Sequence, residues 1–137
     1  MKPIQTIKFL VIIIGLCACN GNQNSGNTYQ EKIQSVEEIE RSQPTNFLDA
    51  SGTYNPTFFG NKIKVHGIIK NTATVATFKD AVVKVPYYSK TKTVLGNNNY
   101  TIYDFFPPHS EKNFELKIET YQDVSTIGWD VISAIPN

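Results

Sequence analysis

The sequence is poor in the residues from which small proteins build metal sites, disulfide frameworks and catalytic centres. Its 137 residues include two Cys, one Met, one Trp and two His. Two cysteines cannot form a disulfide framework, and so few His and Cys exclude most metal clusters. The chain also lacks an excess of either charge: thirteen Lys and Arg against twelve Asp and Glu leave a net +1. Nucleic-acid affinity rests on phosphate neutralisation, so this balance argues against a nucleic-acid partner. Charged residues make up only 18%, below the usual ~25%, while aromatics reach 12%. A chain of this kind can fill a core, which argues against wholesale disorder. The length allows one domain of roughly 100–200 residues with a tail. Composition points to a small exported β-rich domain and to no specific activity.

An apolar run long enough to cross a bilayer is missing as well. The unbroken run at residues 9–18 would span about 15 Å as a helix, half of the ~30 Å hydrocarbon core. Preceded by Lys2 and Lys8, it fits the apolar region of a signal peptide. It ends in Leu16-Cys17-Ala18-Cys19. This resembles the lipobox of bacterial lipoproteins: an aliphatic residue, a variable one, a small one, then Cys. The resemblance implies a signal peptide over residues 1–18, cleavage before Cys19, and diacylglycerol on the Cys19 thiol. Two alternatives stand beside it. The register Ile14-Gly15-Leu16-Cys17 puts bulky Leu16 where a small residue is wanted. An ordinary secretory signal followed by a Cys17–Cys19 disulfide would close a strained ring. Two or more acyl chains hold a protein on a bilayer stably. The expected location is therefore the bacterial cell envelope, with the membrane contacted through Cys19 on a periplasmic or surface face.

Residues 19–44 are read as the lipidated Cys, a linker and a short helix. Residues 20–28, NGNQNSGNT, contain no apolar and no charged side chain. As a coil they reach roughly 15–18 Å. Beyond them Tyr29, Ile33, Val36 and Ile39 recur at helical spacing, with Glu31, Glu37, Glu38 and Glu40 on the other face. Thr28 and Glu31 have capping-box spacing, and Pro44 follows the end. The pattern predicts an amphipathic helix over residues 29–42. Its acidic face disfavours anionic lipid.

From residue 45 to residue 137 the hydrophobic period becomes two. Strands are predicted around residues 62–70, 80–88, 100–106, 113–119 and 127–132, with a further one within 52–59. Turn signals fall at residues 60–61, 71–76, 89–92, 96–99, 107–110 and 123–125. No crossover helix fits between the strands, so a parallel α/β sheet is excluded. The expected fold is all-β: an immunoglobulin-like antiparallel β-sandwich of about seven strands. Pro86 falls inside a strand pattern and cannot donate to a ladder, which predicts an edge strand or a bulge there.

Three segments carry a second resemblance. They are Gly67-Ile68-Ile69-Lys70-Asn71-Thr72; Phe78-Lys79-Asp80-Ala81-Val82-Val83-Lys84-Val85-Pro86-Tyr87-Tyr88; and Phe106-Pro107-Pro108-His109-Ser110-Glu111-Lys112-Asn113-Phe114. They resemble the FxLYD-type immunoglobulin-like domains, over about residues 61–121. His109 stands where the turn of that family usually has Gly. The resemblance implies the sandwich fold and no shared catalytic residues; fold alone does not assign function.

The residues themselves suggest no catalysis. His66 lies on the lysine-bearing side of a strand and His109 in a turn, and no G-x-S-x-G pattern accompanies them. Metal-ligand spacings such as H-x-x-x-H and C-x-x-C are missing from the sequence. Glu111, Glu115 and Glu119 read as the wet face of a strand rather than as paired catalytic acids. No catalytic residue, metal or cofactor is therefore expected. The aromatics Tyr54, Phe58, Phe59, Tyr87, Tyr88, Tyr100, Tyr103, Phe105 and Phe106 exceed what one sheet face buries. Some must be exposed or covered by the helix. Tyr103, Phe105, Phe106, Pro107 and Pro108 are the expected binding surface, because rings held by a proline turn suit binding hot spots. The expected role is a membrane-anchored, non-enzymatic binding or envelope-assembly module with a protein or glycan partner. The alternative is a small-ligand carrier or enzyme accessory with a pocket between sheet and helix.

Overall fold

A computed structural model describes residues 33–54, 62–119 and 122–137 of the chain. The lipobox cysteines Cys17 and Cys19, the linker, Thr28, Tyr29, Glu31, Phe58 and Phe59 lie outside the described residues. Strands are β1 Leu48–Tyr54, β2 Lys62–Asn71, β3 Phe78–Tyr88, β4 Val94–Phe106, β5 Glu111–Glu119, β6 Thr126–Ile127 and β7 Asp130–Pro136. One helix, α1 Val36–Ser42, and a 3₁₀ turn, Pro44–Asn46, precede them. The strands form two antiparallel sheets, ordered β1-β2-β5 and β4-β3, with β6 and β7 both paired to the other edge of β3. The protein is an all-β sandwich, as its period-two patterning predicts.

Alternation decides what is buried. In β2, Val65, Ile69 and Asn71 point inward while Lys64, His66, Ile68 and Lys70 face out. In β3, Phe78, Ala81, Val83, Val85 and Tyr87 point inward. Ile118 and Phe106 close the core from β5 and β4. Full burial of each large apolar side chain contributes roughly 1.5–3 kcal/mol. At the middle of the first sheet Gly52 pairs directly with Gly67. The missing side chains leave room for Trp129 over Gly52 and Phe114 over Gly67. Those two rings meet edge to face, with centroids 5.8 Å apart and an interplanar angle of 71°.

The structure corrects four details of the sequence reading. The first strand begins at Leu48, ahead of the expected 52–59 segment, because Leu48 and Ala50 enter the core while Asp49 and Ser51 face solvent. Residues 96–99, expected as a turn, lie within β4: Asn97, Asn98 and Asn99 pair with Pro86, Val85 and Lys84. The chain reverses only at the other expected turn, residues 89–92, where Lys92 N donates to Ser89 O at 3.0 Å. Pro86 lies on the central strand, not at an edge. Its carbonyl accepts from Gly128 N at 2.9 Å. In an extended strand the N and C=O of one residue point to the same side, so the missing donor faces the gap between β6 and β7, where the partner strand is interrupted.

The fourth detail is the helix. It starts at Val36, capped by Ser35, whose hydroxyl accepts from Glu38 N at 3.2 Å while the Glu38 carboxylate accepts from Ser35 N at 3.1 Å. The expected apolar stripe, Ile33, Val36 and Ile39, is exposed, and Glu40 from the acidic set is the residue that is buried. Helical periodicity is present, but the helix docks through a carboxylate.

Candidate binding surfaces

One end of the sandwich is organised by two buried polar side chains. Asn71, at the end of β2, is fully buried. Its Nδ2 donates to Ala76 O, Phe106 O and Pro107 O at 3.0, 2.8 and 3.1 Å, and its Oδ1 accepts from Ala73 N at 2.9 Å. Glu40, on α1, is 2% exposed. Its carboxylate accepts from Thr74 N and Thr74 Oγ1, both at 2.7 Å, from Val75 N at 3.0 Å and from Ala76 N at 2.8 Å. Together they tie the helix, the β2–β3 connection and the turn after β4. Burial by itself would raise the Glu40 pKa, but the donors from Thr74, Val75 and Ala76 outweigh it and bring the pKa to about 2.

A carboxyl lowered in this way stabilises the fold fully above its ordinary 4.5, and the contribution is lost as pH falls toward about 2. Thermal midpoints measured across that window should therefore fall more steeply for the native protein than for Glu40→Gln. The variant should melt several degrees lower at pH 7, and the two should converge at the acid end. Parallel profiles would show that the contacts of Glu40 do not hold the helix.

The segment expected to bind a partner sits at the same end, and the structure divides it. Tyr103 is 82% exposed and Phe105 54% exposed on the outer side of β4. Phe106 is fully buried opposite Phe78. Alternation explains the division, because Phe106 shares its side of the strand with Tyr100 and Ile102, which pack on the core. Phe106 is therefore a core residue, and the exposed rings are Tyr103 and Phe105. Pro107 is exposed and Pro108 half-buried. They open a turn in which Ser110 N donates to Pro107 O at 3.2 Å and His109 has φ 57°. Proline followed by a left-handed residue is type II turn geometry, and that third position favours Gly. His109 thus occupies a backbone conformation that favours Gly.

A second surface lies on the outer face of the first sheet. There an open groove of about 480 Å³ is lined by Ser51, Thr53, His66, Ile68, Asn113 and Glu115. His66 Nδ1 lies 3.0 Å from one Glu115 oxygen, and Lys64 Nζ lies 2.9 Å from the other. The hydrogen bond from Lys64 holds the Glu115 carboxyl below the usual carboxylate range; partial burial opposes it, and the Lys64 charge and His66 assist. Sequence reading placed His66 and Glu115 on wet faces without pairing them. Their direct opposition across β2 and β5 is a matter of register, which a single strand pattern does not reveal.

The described residues contain no group of three or more His, Cys, Asp or Glu placed to hold a metal ion. No helix among them is long and apolar enough to cross a membrane. Glu40 and Asn71 were missed as organising residues. Asn71 ends β2, just before the expected turn at 71–76, which is a usable signal, whereas the partners of Glu40 lie more than thirty residues away in sequence. No protein-family model matches the chain, and neither a curated protein nor a solved structure is found to be similar to it.

Proposed function

We propose that the protein is a lipid-anchored bacterial envelope protein whose immunoglobulin-like domain, of the FxLYD type, works by binding rather than by catalysis. The observation that carries this reading is the pair of outward rings, Tyr103 and Phe105, on a strand whose next residue is locked in the core. An exposed tyrosine and phenylalanine on a rigid strand bury much area at little rotamer cost when a partner covers them. The lipobox resemblance supports an anchor at Cys19, and the uncharged segment at residues 20–28 supports a tether that joins that anchor to the domain. A protein or glycan is the partner class suited to such rings.

Two experiments test the reading. Fatty-acid labelling should disappear in Cys19→Ala and persist in Cys17→Ala; equal labelling of both would remove the anchor assignment. Within the aromatic segment, Tyr103→Ser and Phe105→Ser should leave stability within about 0.5 kcal/mol of the native value. Phe106→Ser should cost about 3–5 kcal/mol, as loss of a buried ring does. Unfolding by the first two substitutions would make them core residues and end the binding assignment.

A small-ligand role would draw on the groove on the β1-β2-β5 face. Mixed hydroxyl, amide, imidazole and carboxylate groups there suit a small polar ligand. Ligand-dependent thermal shifts abolished by Thr53→Val and Asn113→Leu would favour that role.

A further inference from the structure

The clasp between Glu40 and residues 74–76 leaves an apolar rim outside it. Val36 and Glu40 are neighbours at i, i+4 on α1, and Ile39 lies beside them. Val75, one of the loop residues that donate to Glu40, adds a third apolar position beside them. Val36 is 58%, Ile39 41% and Val75 52% exposed, and Ile33 continues the stripe just ahead of the helix. Burying a carboxylate while leaving three or four aliphatic side chains in water is the reverse of what a free-standing helix on a soluble domain does.

The helix carboxylates do not dominate this rim. Glu40 is consumed by the loop, Glu37 pairs with Arg41 at 2.9 Å, and Glu38 caps the helix through Ser35 N. The position in the chain indicates what the rim meets. Ile33 follows Cys19 by fourteen positions. Fourteen residues reach no more than about 50 Å however they are arranged, and α1 is the first described element after them. The opposite end of the sandwich lies roughly 30 Å further along β3, at a rise of about 3.3 Å per residue.

We propose that the rim of Val36, Ile39 and Val75 seats on the lipid surface to which Cys19 is anchored and fixes the orientation of the sandwich on the membrane. The proposal rests on the Cys19 anchor. The lipid it fits is zwitterionic, because the rim's described side chains are aliphatic and Arg41, the cation of α1, is paired with Glu37. Interfacial binding of this kind scales with buried apolar area and is effective when a covalent lipid already supplies the main anchor. Seated in this way, the domain turns its β3–β4 hairpin end, with Lys90 and Lys92, away from the bilayer.

The test uses the mature lipoprotein, in which Cys19 is acylated and no other cysteine remains after cleavage before it. Single substitutions Ile39→Cys, Val75→Cys and, at the far end, Val94→Cys are labelled with an environment-sensitive fluorophore. Each protein is reconstituted in phosphatidylcholine–phosphatidylethanolamine vesicles and floated. Nitroxide-bearing lipid should quench the labels at positions 39 and 75 at least about twofold more than the label at 94. Equal quenching at all three sites in floated protein would overturn the seating and leave the anchor intact. A blue shift at 39 and 75 that grows with protein density and ignores the nitroxide would overturn it too, showing that a second copy covers the rim. Failure to float would remove the anchor and the seating together.

Discussion

Replacing Asn71 by Ala should unfold much of the domain at temperatures where the native protein is fully folded. The substitution removes three donated hydrogen bonds, to Ala76 O, Phe106 O and Pro107 O, and one accepted from Ala73 N. All sit at a fully buried side chain, so water cannot replace them without opening the loop. Each buried polar group left unpaired costs about 1–3 kcal/mol, and partial relaxation shares the loss among them, giving an expected total of about 3–5 kcal/mol. For a domain near 100 residues this lowers the thermal midpoint by about 15 °C or more. Asn71→Asp keeps the size and the acceptor but turns a second oxygen toward three carbonyls. It should be at least as damaging, which separates the role of the amide donor from simple packing. A native-like midpoint for Asn71→Asp, followed by circular dichroism, would contradict this account of the loop.

The second large effect is expected at Gly67. A Cβ at this position would lie 2.1 Å from Phe114 Cζ and 2.6 and 2.7 Å from the Cε atoms. The ring cannot easily retreat, because its edge-to-face contact with Trp129 fixes it and Trp129 in turn fills the space over Gly52. Overpacking a core in this way costs typically 1–3 kcal/mol, and the upper end, about 3 kcal/mol, is expected for Gly67→Ala. Phe114→Leu removes the ring tip that the new methyl would strike. The double variant should therefore be more stable than the sum of the two single losses predicts, by about 1 kcal/mol or more in a double-mutant cycle. Additive losses would mean that Gly67 is required for its backbone alone.

These two sites mark the limits of what the sequence discloses. The strands β2, β3 and β5 are legible because apolar residues alternate with polar ones, chiefly Lys and Glu, along them, whereas the single strand expected at 127–132 is broken at residues 128–129 into β6 and a β7 that runs on to Pro136. The strand β1 is obscure because its inward residues include Ala50 and Gly52, which carry little hydrophobic signal. The Asn-rich start of β4 reads as a turn, since Gly and Asn favour turns, yet pairing along the length of β3 outweighs that preference. Helical spacing identified α1 correctly in kind and misplaced its buried side. Three aliphatic residues suggested a core-facing stripe, while the docking residue is a glutamate satisfied by backbone donors from a distant loop. Of the aromatic segment, Tyr103 and Phe105 follow from alternation as outward, and the same alternation turns Phe106 inward. The His66–Glu115 pair needs the register between β2 and β5, which only the assembled sheet supplies.

The most direct test of the binding account is to isolate the intact lipoprotein from its own membrane after in-cell crosslinking, as the native chain and as the Tyr103→Ser/Phe105→Ser variant. Both proteins should be equally abundant, equally acylated and equally stable, because neither side chain is in the core. The account predicts a crosslinked protein or glycan with the native chain that is reduced at least about tenfold with the variant, since losing hot-spot rings costs about 2 kcal/mol or more. The same crosslinked species in undiminished yield from the variant would contradict it.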